Sequence, residues 1–229
     1  MILPKPEIRH ERKFLCEALS PGDIEWMVKS LPEHFVKSWP DRVVNNVYFD
    51  NRTFYLYHLS SEGISDRKKI RIRWYGDTFG KNIPAYLEVK SKIGLVVEKL
   101  NCRLGNLNIT PGMIIKNGFT GFVPRTVPVE LRSDLQVMNP VLVNRYLRRY
   151  YTSTRMDIRI TIDSDLEFAL PRHTVQSRFS GRYSSDTILE IKYPTALDEY
   201  MPSLTQKFPF RLARVSKYVH GMELFYNEL

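Results

Sequence analysis

The sequence predicts an α+β protein built on an antiparallel β-barrel, closed on itself, with a basic interior and helices packed outside. Three observations lead there. Apolar and polar residues alternate with period two over most of the chain, the pattern of half-buried strands. Arg and Lys recur at i and i+2 in segment after segment, so they gather on one face of each strand. A content of 43% hydrophobic residues in 229, with 11 Gly and 14 Pro, is enough to bury a core and excludes a disordered or fibrous chain.

The elements follow in chain order. Ser20 as N-cap with Pro21 at N1 predicts a helix running through Trp26 to Leu31. In 69–75, Ile70, Ile72 and Trp74 oppose Lys69, Arg71, Arg73 and Tyr75. In 86–92, Leu87 and Val89 oppose Tyr86, Glu88, Lys90 and Lys92. In 96–104, Val96, Leu100, Cys102 and Leu104 oppose Lys99, Asn101 and Arg103. Thr110, Pro111 and Gly118 cap, open and stop a short helix. In 157–163, Ile158, Ile160 and Ile162 oppose Asp157, Arg159, Thr161 and Asp163. In 187–193, Leu189, Ile191 and Tyr193 oppose Glu190 and Lys192. A helix is expected over 196–206 and a last one from Ser216 to Tyr226, with Val219, Met222 and Phe225 on one stripe. Stretches 60–63, 76–80 and 176–181 read as loops rather than linkers, so 1–229 is expected to be a single domain.

Several classes are excluded. No stretch reaches the ~18 to 20 apolar residues of a membrane span, and Met1-Ile2-Leu3-Pro4-Lys5-Pro6 lacks the apolar run of a signal peptide. Cys16 and Cys102 are too few for a disulfide framework and lack zinc spacing. His10, His34, His58, His173 and His220 have no metal-ligand spacing; His10 and His58 are expected on strands and His220 on the last helix. There is no P-loop, dinucleotide fingerprint or Ser-His-Asp arrangement. The expectation is a soluble, cytoplasmic protein.

With 34 Lys and Arg against 25 Asp and Glu, the net charge is +9, which favours a polyanionic partner. A solvated face of an ordinary antiparallel sheet also alternates. Here, however, like charges would stand opposite one another on adjacent strands, which is destabilising unless an anion lies between them. Turning the polar faces inward makes a charged channel. A condensed phosphate chain suits such a lining, held by charge-assisted hydrogen bonds. A carboxylate there makes sense as ligand of a divalent metal bridging phosphate oxygens. Glu190 is the first candidate, then Glu11 and Glu88, whose alternative role is internal salt bridging.

Residues 9–14 (RHERKF), 69–76 (KIRIRWYG) and 87–90 (LEVK) resemble, in order and spacing, the vacuolar transporter chaperone (VTC) domain of the triphosphate tunnel metalloenzymes. So do 146–148 (YLR), 159–163 (RITID), 189–192 (LEIK) and 216–218 (SKY). The resemblance implies a polyphosphate polymerase (ATP:polyphosphate phosphotransferase) that moves the ATP γ-phosphate onto inorganic polyphosphate with Mn²⁺ or Mg²⁺. It places Lys13, Arg71, Arg73, Lys90, Lys99, Arg148, Arg159 and Lys217 among the family's basic phosphate-binding positions. It also places Ser216, Arg214 and Tyr146 in the phosphate site, where Lys192 is a further candidate, and Glu190 on the metal-binding glutamate. Ser216 additionally reads as N-cap of the last helix, worth about 1 kcal/mol, and a helix N-terminus attracts phosphate.

Hydrolase branches of the superfamily open with E-x-E-x-K, and Arg9 stands at the first glutamate, which argues against simple triphosphate hydrolysis. The inositol-phosphate-sensing SPX domain and membrane helices of fungal relatives are not in this sequence, so a separate membrane partner is the expectation for translocation. Two alternatives keep the basic lining: a tunnel triphosphatase acting on inorganic or nucleoside triphosphate, and a non-catalytic polyphosphate-binding or sensing module. A third, RNA binding, would need Tyr48, Phe49, Tyr55, Tyr57, Tyr150 and Tyr151 on an open face; no nucleic-acid partner is expected. Trp74 is expected to pack in the core.

Overall fold

The computed structural model describes residues 9–17, 19–94, 96–174 and 179–225. In chain order the elements are β1 (Arg9–Cys16), α1 (Pro21–Lys29), β2 (Phe35–Asp50), α2 (Tyr55–Ser61), β3 (Arg67–Tyr75), β4 (Gly80–Ile93) and β5 (Val96–Ile109). Then come α3 (Pro111–Ile115), α4 (Val129–Val137), β6 (Asn139–Ser153), β7 (Arg159–Ala169), β8 (Arg182–Ser184), β9 (Thr187–Pro194), α5 (Met201–Thr205) and α6 (Lys217–Leu224). The sheet runs β1-β9-β7-β6-β2-β3-β4-β5, with β8 on β7. The pairings β1–β9, β9–β7, β2–β3, β3–β4 and β4–β5 are antiparallel. The order has two ends, β1 and β5, with no ladder joining them among the described residues, so the expected "closed" barrel is an overstatement of an antiparallel sheet with helices.

The chain gathers into two compact units, and β2, β6, β7 and β8 contribute residues to both. The first unit takes the described parts of 1–42, 147–166 and 184–215. Ile158, Ile160, Ile162, Leu189 and Ile191 turn one apolar face into its core, and α1 lays Ile24 and Val28, one helical turn apart, against it. Ser20 and Asp23 close a capping box at the start of α1, and Pro21 sits in its first turn. The second unit takes the described parts of 43–146, 167–183 and 216–229. Ile70, Ile72, Trp74, Leu87 and Val89 form its core with Phe119, Leu107 and Val143. Each fully buried side chain of this kind contributes about 1.5 to 3 kcal/mol.

The five strands read from alternation are present, and their faces sort as expected except at Val96, which is 61% exposed beside the β4–β5 turn. Strands β2, β6 and β8 and helices α2 and α4 are additional. In the C-terminal half of β2, Val44 to Asp50 are buried on both faces, which erases alternation. β6 is likewise buried from Val141 to Asn144. Helix α2 places His58 on a helix rather than the expected strand. Its orphan N–H groups are satisfied from upstream: Asp50 accepts from Leu56 N at 3.0 Å and Tyr57 N at 2.9 Å, and Asn51 from Tyr55 N at 3.0 Å. Helix α4 follows Pro128 without a side-chain cap. The helix expected over 196–206 is a 3₁₀ turn, Thr195–Leu197, followed by α5. Tyr226, the expected end of the last helix, lies outside the described residues, as do residues 176–178 of the expected loop.

Candidate active site

In the first unit the cross-strand register sets two rows on one face. Glu11 on β1 stands opposite Lys192 on β9, which stands opposite Arg159 on β7; Lys13, Glu190 and Thr161 make the next row. The two carboxylates and two ammoniums interlock. Lys13 Nζ lies 2.7 Å from Glu11 Oε1 and 3.4 Å from Glu190 Oε2. Lys192 pairs closely with Glu190 and lies 3.8 Å from Glu11 Oε2. Glu190 is only 7% exposed. Burial pushes its carboxyl up, but Lys192, Lys13 and Arg148 bring it well below the ordinary glutamate value. Burial and Glu190 likewise push Glu11 up, and Lys13 and Lys192 leave it lowered on balance.

Arg148 on β6 gives its Nε and Nη2 to the two oxygens of Asp163 at 2.6 and 2.7 Å, and Asp163 is fully buried. Arg159 is 59% exposed at its side chain, 3.8 Å from Asp157 Oδ1. Arg9 is paired with Asp157. The segment before α6 is laced to β1 by Ala213 N donating to Lys13 O at 2.9 Å, and Arg214, next along, is exposed.

The donor chemistry of Glu11 and Glu190 fits a divalent metal of the magnesium or manganese type. The two groups oppose each other's ionisation, so they share one site, and such ions take one or two carboxylates with substrate phosphates completing the shell. Among the described residues no group of three or more His, Cys, Asp or Glu that could hold a metal ion is gathered. Glu88, the third carboxylate expected, lies in the second unit and is ion-paired: its Oε2 accepts from Arg71 Nε at 2.8 Å and Nη2 at 2.6 Å, and its Oε1 is 3.5 Å from Arg73 Nη1.

The second unit builds three polar rows on the face opposite its core. Asn46, Arg73 and Tyr86 align across β2, β3 and β4, as do Tyr48, Arg71 and Glu88. In the third, Lys69 on β3 stands opposite Lys90 on β4, which stands opposite Lys99 on β5. Three lysines in one row are the like-charge alignment the sequence implied. Burial pushes Arg71 toward losing its proton, but Tyr48, Glu88 and Tyr146 raise it above its ordinary value, so it stays charged.

Helix α6 brings its N-terminus to this face. Gly221 makes the approach: an added Cβ would stand 2.5 Å from Phe168 Cδ1 and 2.6 Å from Leu142 Cδ2. Ser216 caps the helix, accepting from Val219 N at 3.4 Å, and also accepts from Lys69 Nζ at 2.7 Å. Lys217 Nζ sits 4.6 Å above the Tyr146 ring, whose hydroxyl accepts from Arg73 Nη2 at 3.3 Å. Arg71, Arg73, Lys90, Lys99, Tyr146, Ser216 and Lys217 therefore belong to one unit; Lys13, Glu11, Glu190, Lys192, Arg148, Arg159 and Arg214 belong to the other. Lys69 and Asp163 are the participants that sequence reasoning did not assign to the site. Their signal was present, since each shares an i, i+2 face with an expected site residue.

Of the aromatic residues an RNA platform would need, Tyr48, Phe49, Tyr57 and Tyr151 are buried and only Tyr55 is well exposed. Trp74 is buried in the core, its Nε1 donating to Asp77 O.

Residues 8–226 match the VTC domain family. Vacuolar transporter chaperone complex subunit 4 of Trypanosoma cruzi (strain CL Brener) is 25% identical over 228 residues, covering 80% of this chain; the chain spans 28% of that relative's length. Among solved structures, a candidate adenylate cyclase from Bacillus halodurans superposes with a TM-score of 0.57 at 14% identity, covering 96% of this chain and 98% of that one. A candidate adenylyl cyclase from Hippeastrum, described as having a dominant triphosphatase activity, gives 0.56 at 15% identity, covering 94% and 96%. These likenesses establish the fold. No helix among the described residues is long and apolar enough to cross a membrane.

Proposed function

The chain belongs to the VTC domain family, and on that premise we propose that it is an ATP-dependent polyphosphate polymerase, with residues 1–229 acting as one domain. The observation that carries the reading is the like-charge row on the second unit's polar face, where Lys69, Lys90 and Lys99 stand opposite one another beside Arg71 and Arg73, which both pair with Glu88. Ammoniums facing one another across adjacent strands repel, and a polyanion relieves that repulsion.

In this proposal the terminal phosphate of the acceptor chain attacks the ATP γ-phosphorus. A new P–O–P linkage forms, the bond to the β,γ-bridging oxygen breaks, and ADP leaves. The protein supplies no nucleophile; it aligns the partners and neutralises charge on the transferring group. Arg71, Arg73, Lys90 and Lys99 grip phosphate oxygens, Ser216 and Lys217 bind at the α6 N-terminus, and Tyr146 supports Lys217. Lys13, Lys192, Arg148, Arg159 and Arg214 are the first unit's own basic residues and would bind phosphate oxygens there. Glu190, with Glu11, would hold Mn²⁺ or Mg²⁺, which when bound supplies Lewis-acid neutralisation of phosphate oxygens. Lys13 and Lys192 hold both carboxylates ionised for that role. The proposed setting is the cytoplasm, with a separate membrane partner for the product.

The test is incubation of the purified protein with ATP and Mn²⁺, read by gel staining for polyphosphate and by a free-phosphate assay. The expected result is long polymer that falls at least about 100-fold in Glu190→Gln, with tripolyphosphate binding retained. Free phosphate without polymer would identify a triphosphatase. Neither product, alongside tight polyphosphate binding, would identify a binding module.

A further inference from the structure

Lys69 precedes the two arginines on β3, shares their face, and stands in the lysine row with Lys90 and Lys99. Its ammonium does not simply project with the others. It donates to Ser216 Oγ at 2.7 Å, and the same oxygen accepts from Val219 N at 3.4 Å. An ammonium has no acceptor and a backbone N–H has none, so the direction of both bonds is fixed. A hydroxyl has two lone pairs and one hydrogen. With both lone pairs engaged, the hydrogen-bonding capacity left to Ser216 is its O–H, which can only donate.

An unconstrained serine hydroxyl rotates and presents a lone pair to a phosphate oxygen as readily as a proton; a lone pair there is repulsive. We infer that Lys69 is a positioning residue that, with the Val219 amide, locks Ser216 as an obligate hydrogen-bond donor to a phosphate oxygen. The inference rests on the phosphate-binding reading above and assigns a role to a residue outside the set carried by resemblance. It also gives the lysines of the row different roles, since Lys90 and Lys99 are exposed, whereas Lys69 is half-buried and acts through the serine.

The test is a double-mutant cycle on tripolyphosphate binding, measured by calorimetry for the full chain, K69M, S216A and K69M/S216A. Thermal melts run alongside, because S216A also removes a helix cap. Each single change is expected to weaken binding about tenfold, the range of a hydrogen bond to a charged group. The double variant is expected to bind about as weakly as S216A, because Lys69 acts only through the hydroxyl. A product of the two single effects, about 100-fold, means that Lys69 contacts phosphate itself and overturns the inference. Failure of the unsubstituted protein to bind tripolyphosphate overturns the phosphate reading itself, a different and distinguishable outcome. Should K69M not fold, K69R takes its place: it keeps the charge but not the single-point donation. It is expected to weaken binding with Ser216 present and to change nothing in the S216A background; equal weakening in both backgrounds overturns the inference.

Discussion

The β1–β9 face of the first unit and the β3–β5 face of the second are built by the same device, charged side chains at every second residue of antiparallel strands, yet they carry opposite balances. On the first, two carboxylates alternate with two ammoniums so that each glutamate touches both lysines. On the second, Arg71 and Arg73 both pair with Glu88, while Lys69, Lys90 and Lys99 line up beside them. Register makes the difference. Glu11 stands opposite Lys192 and Lys13 opposite Glu190, so unlike charges face each other; Lys69, Lys90 and Lys99 stand in one line, so like charges do. The first face pairs its charges internally. The second sets like charges side by side, which in the proposed function a polyanion relieves.

The comparison breaks most visibly at the buried ion pair of the first unit. Asp163→Ala leaves Arg148 without its bidentate partner in a dry site and is expected to cost about 3 to 5 kcal/mol. Arg159→Ala, on the same unit and largely exposed, is expected to change stability by less than about 0.5 kcal/mol. Urea denaturation of the two variants checks this. Equal and small losses would mean that Arg148 finds another partner and that the unit is not held by charge pairing.

The second face is sharpened by Arg71→Ala. In the proposed function this change removes a phosphate grip, and it leaves Glu88 short of a partner, so tripolyphosphate affinity is expected to fall by about 10- to 100-fold. Its salt dependence should become shallower at the same time, because fewer phosphate charges are neutralised. Calorimetry across a range of potassium chloride concentrations reads both. A loss of affinity with an unchanged salt slope would assign Arg71 to holding Glu88 rather than to binding the anion.

Much of this was legible in the sequence, for physical reasons that differ by region. Strands with one dry face write themselves as alternation, which is why the faces of β3, β4, β7 and β9 could be read directly from residues such as Ile70 and Arg71 or Leu189 and Glu190. The later half of β2 is covered on both sides, and Asn45 and Asn46 are buried through bonds to Gly76 O and Asn144 Oδ1 that belong to distant segments, so no period survives. Helix α2 takes its caps from Asp50 and Asn51 rather than from the residue before it, and local cap signals miss it. At the site, the charged residues could be found but not their partners. Arg148 with Asp163, and Lys69 with Ser216, are pairings of separated segments that only the tertiary structure brings together.

Acid separates the two units by a smaller effect. Glu11, Glu25, Glu33, Glu190 and Asp198, which lie in the first unit, are carboxyl groups held below their ordinary values. At Glu33, burial alone would raise the carboxyl, and the Tyr200 hydroxyl with the Lys207 ammonium brings it below. Each of these groups takes up a proton more readily in the unfolded chain than in the folded one. Stability therefore rises with pH through the acid range: the contribution is complete above the ordinary values of 4.5 for glutamate and 3.8 for aspartate, and is lost as pH falls through the lowered folded values. Hydrogen exchange at pH stepped from about 7 down to about 3 is expected to show protection lost first in β1 and β9 and later in β3 and β4. Glu33→Gln should shrink that difference by removing one acid-sensitive group. Simultaneous loss in both units would show that they unfold as one cooperative body, and the contrast between their faces would then be one of chemistry without a contrast in stability.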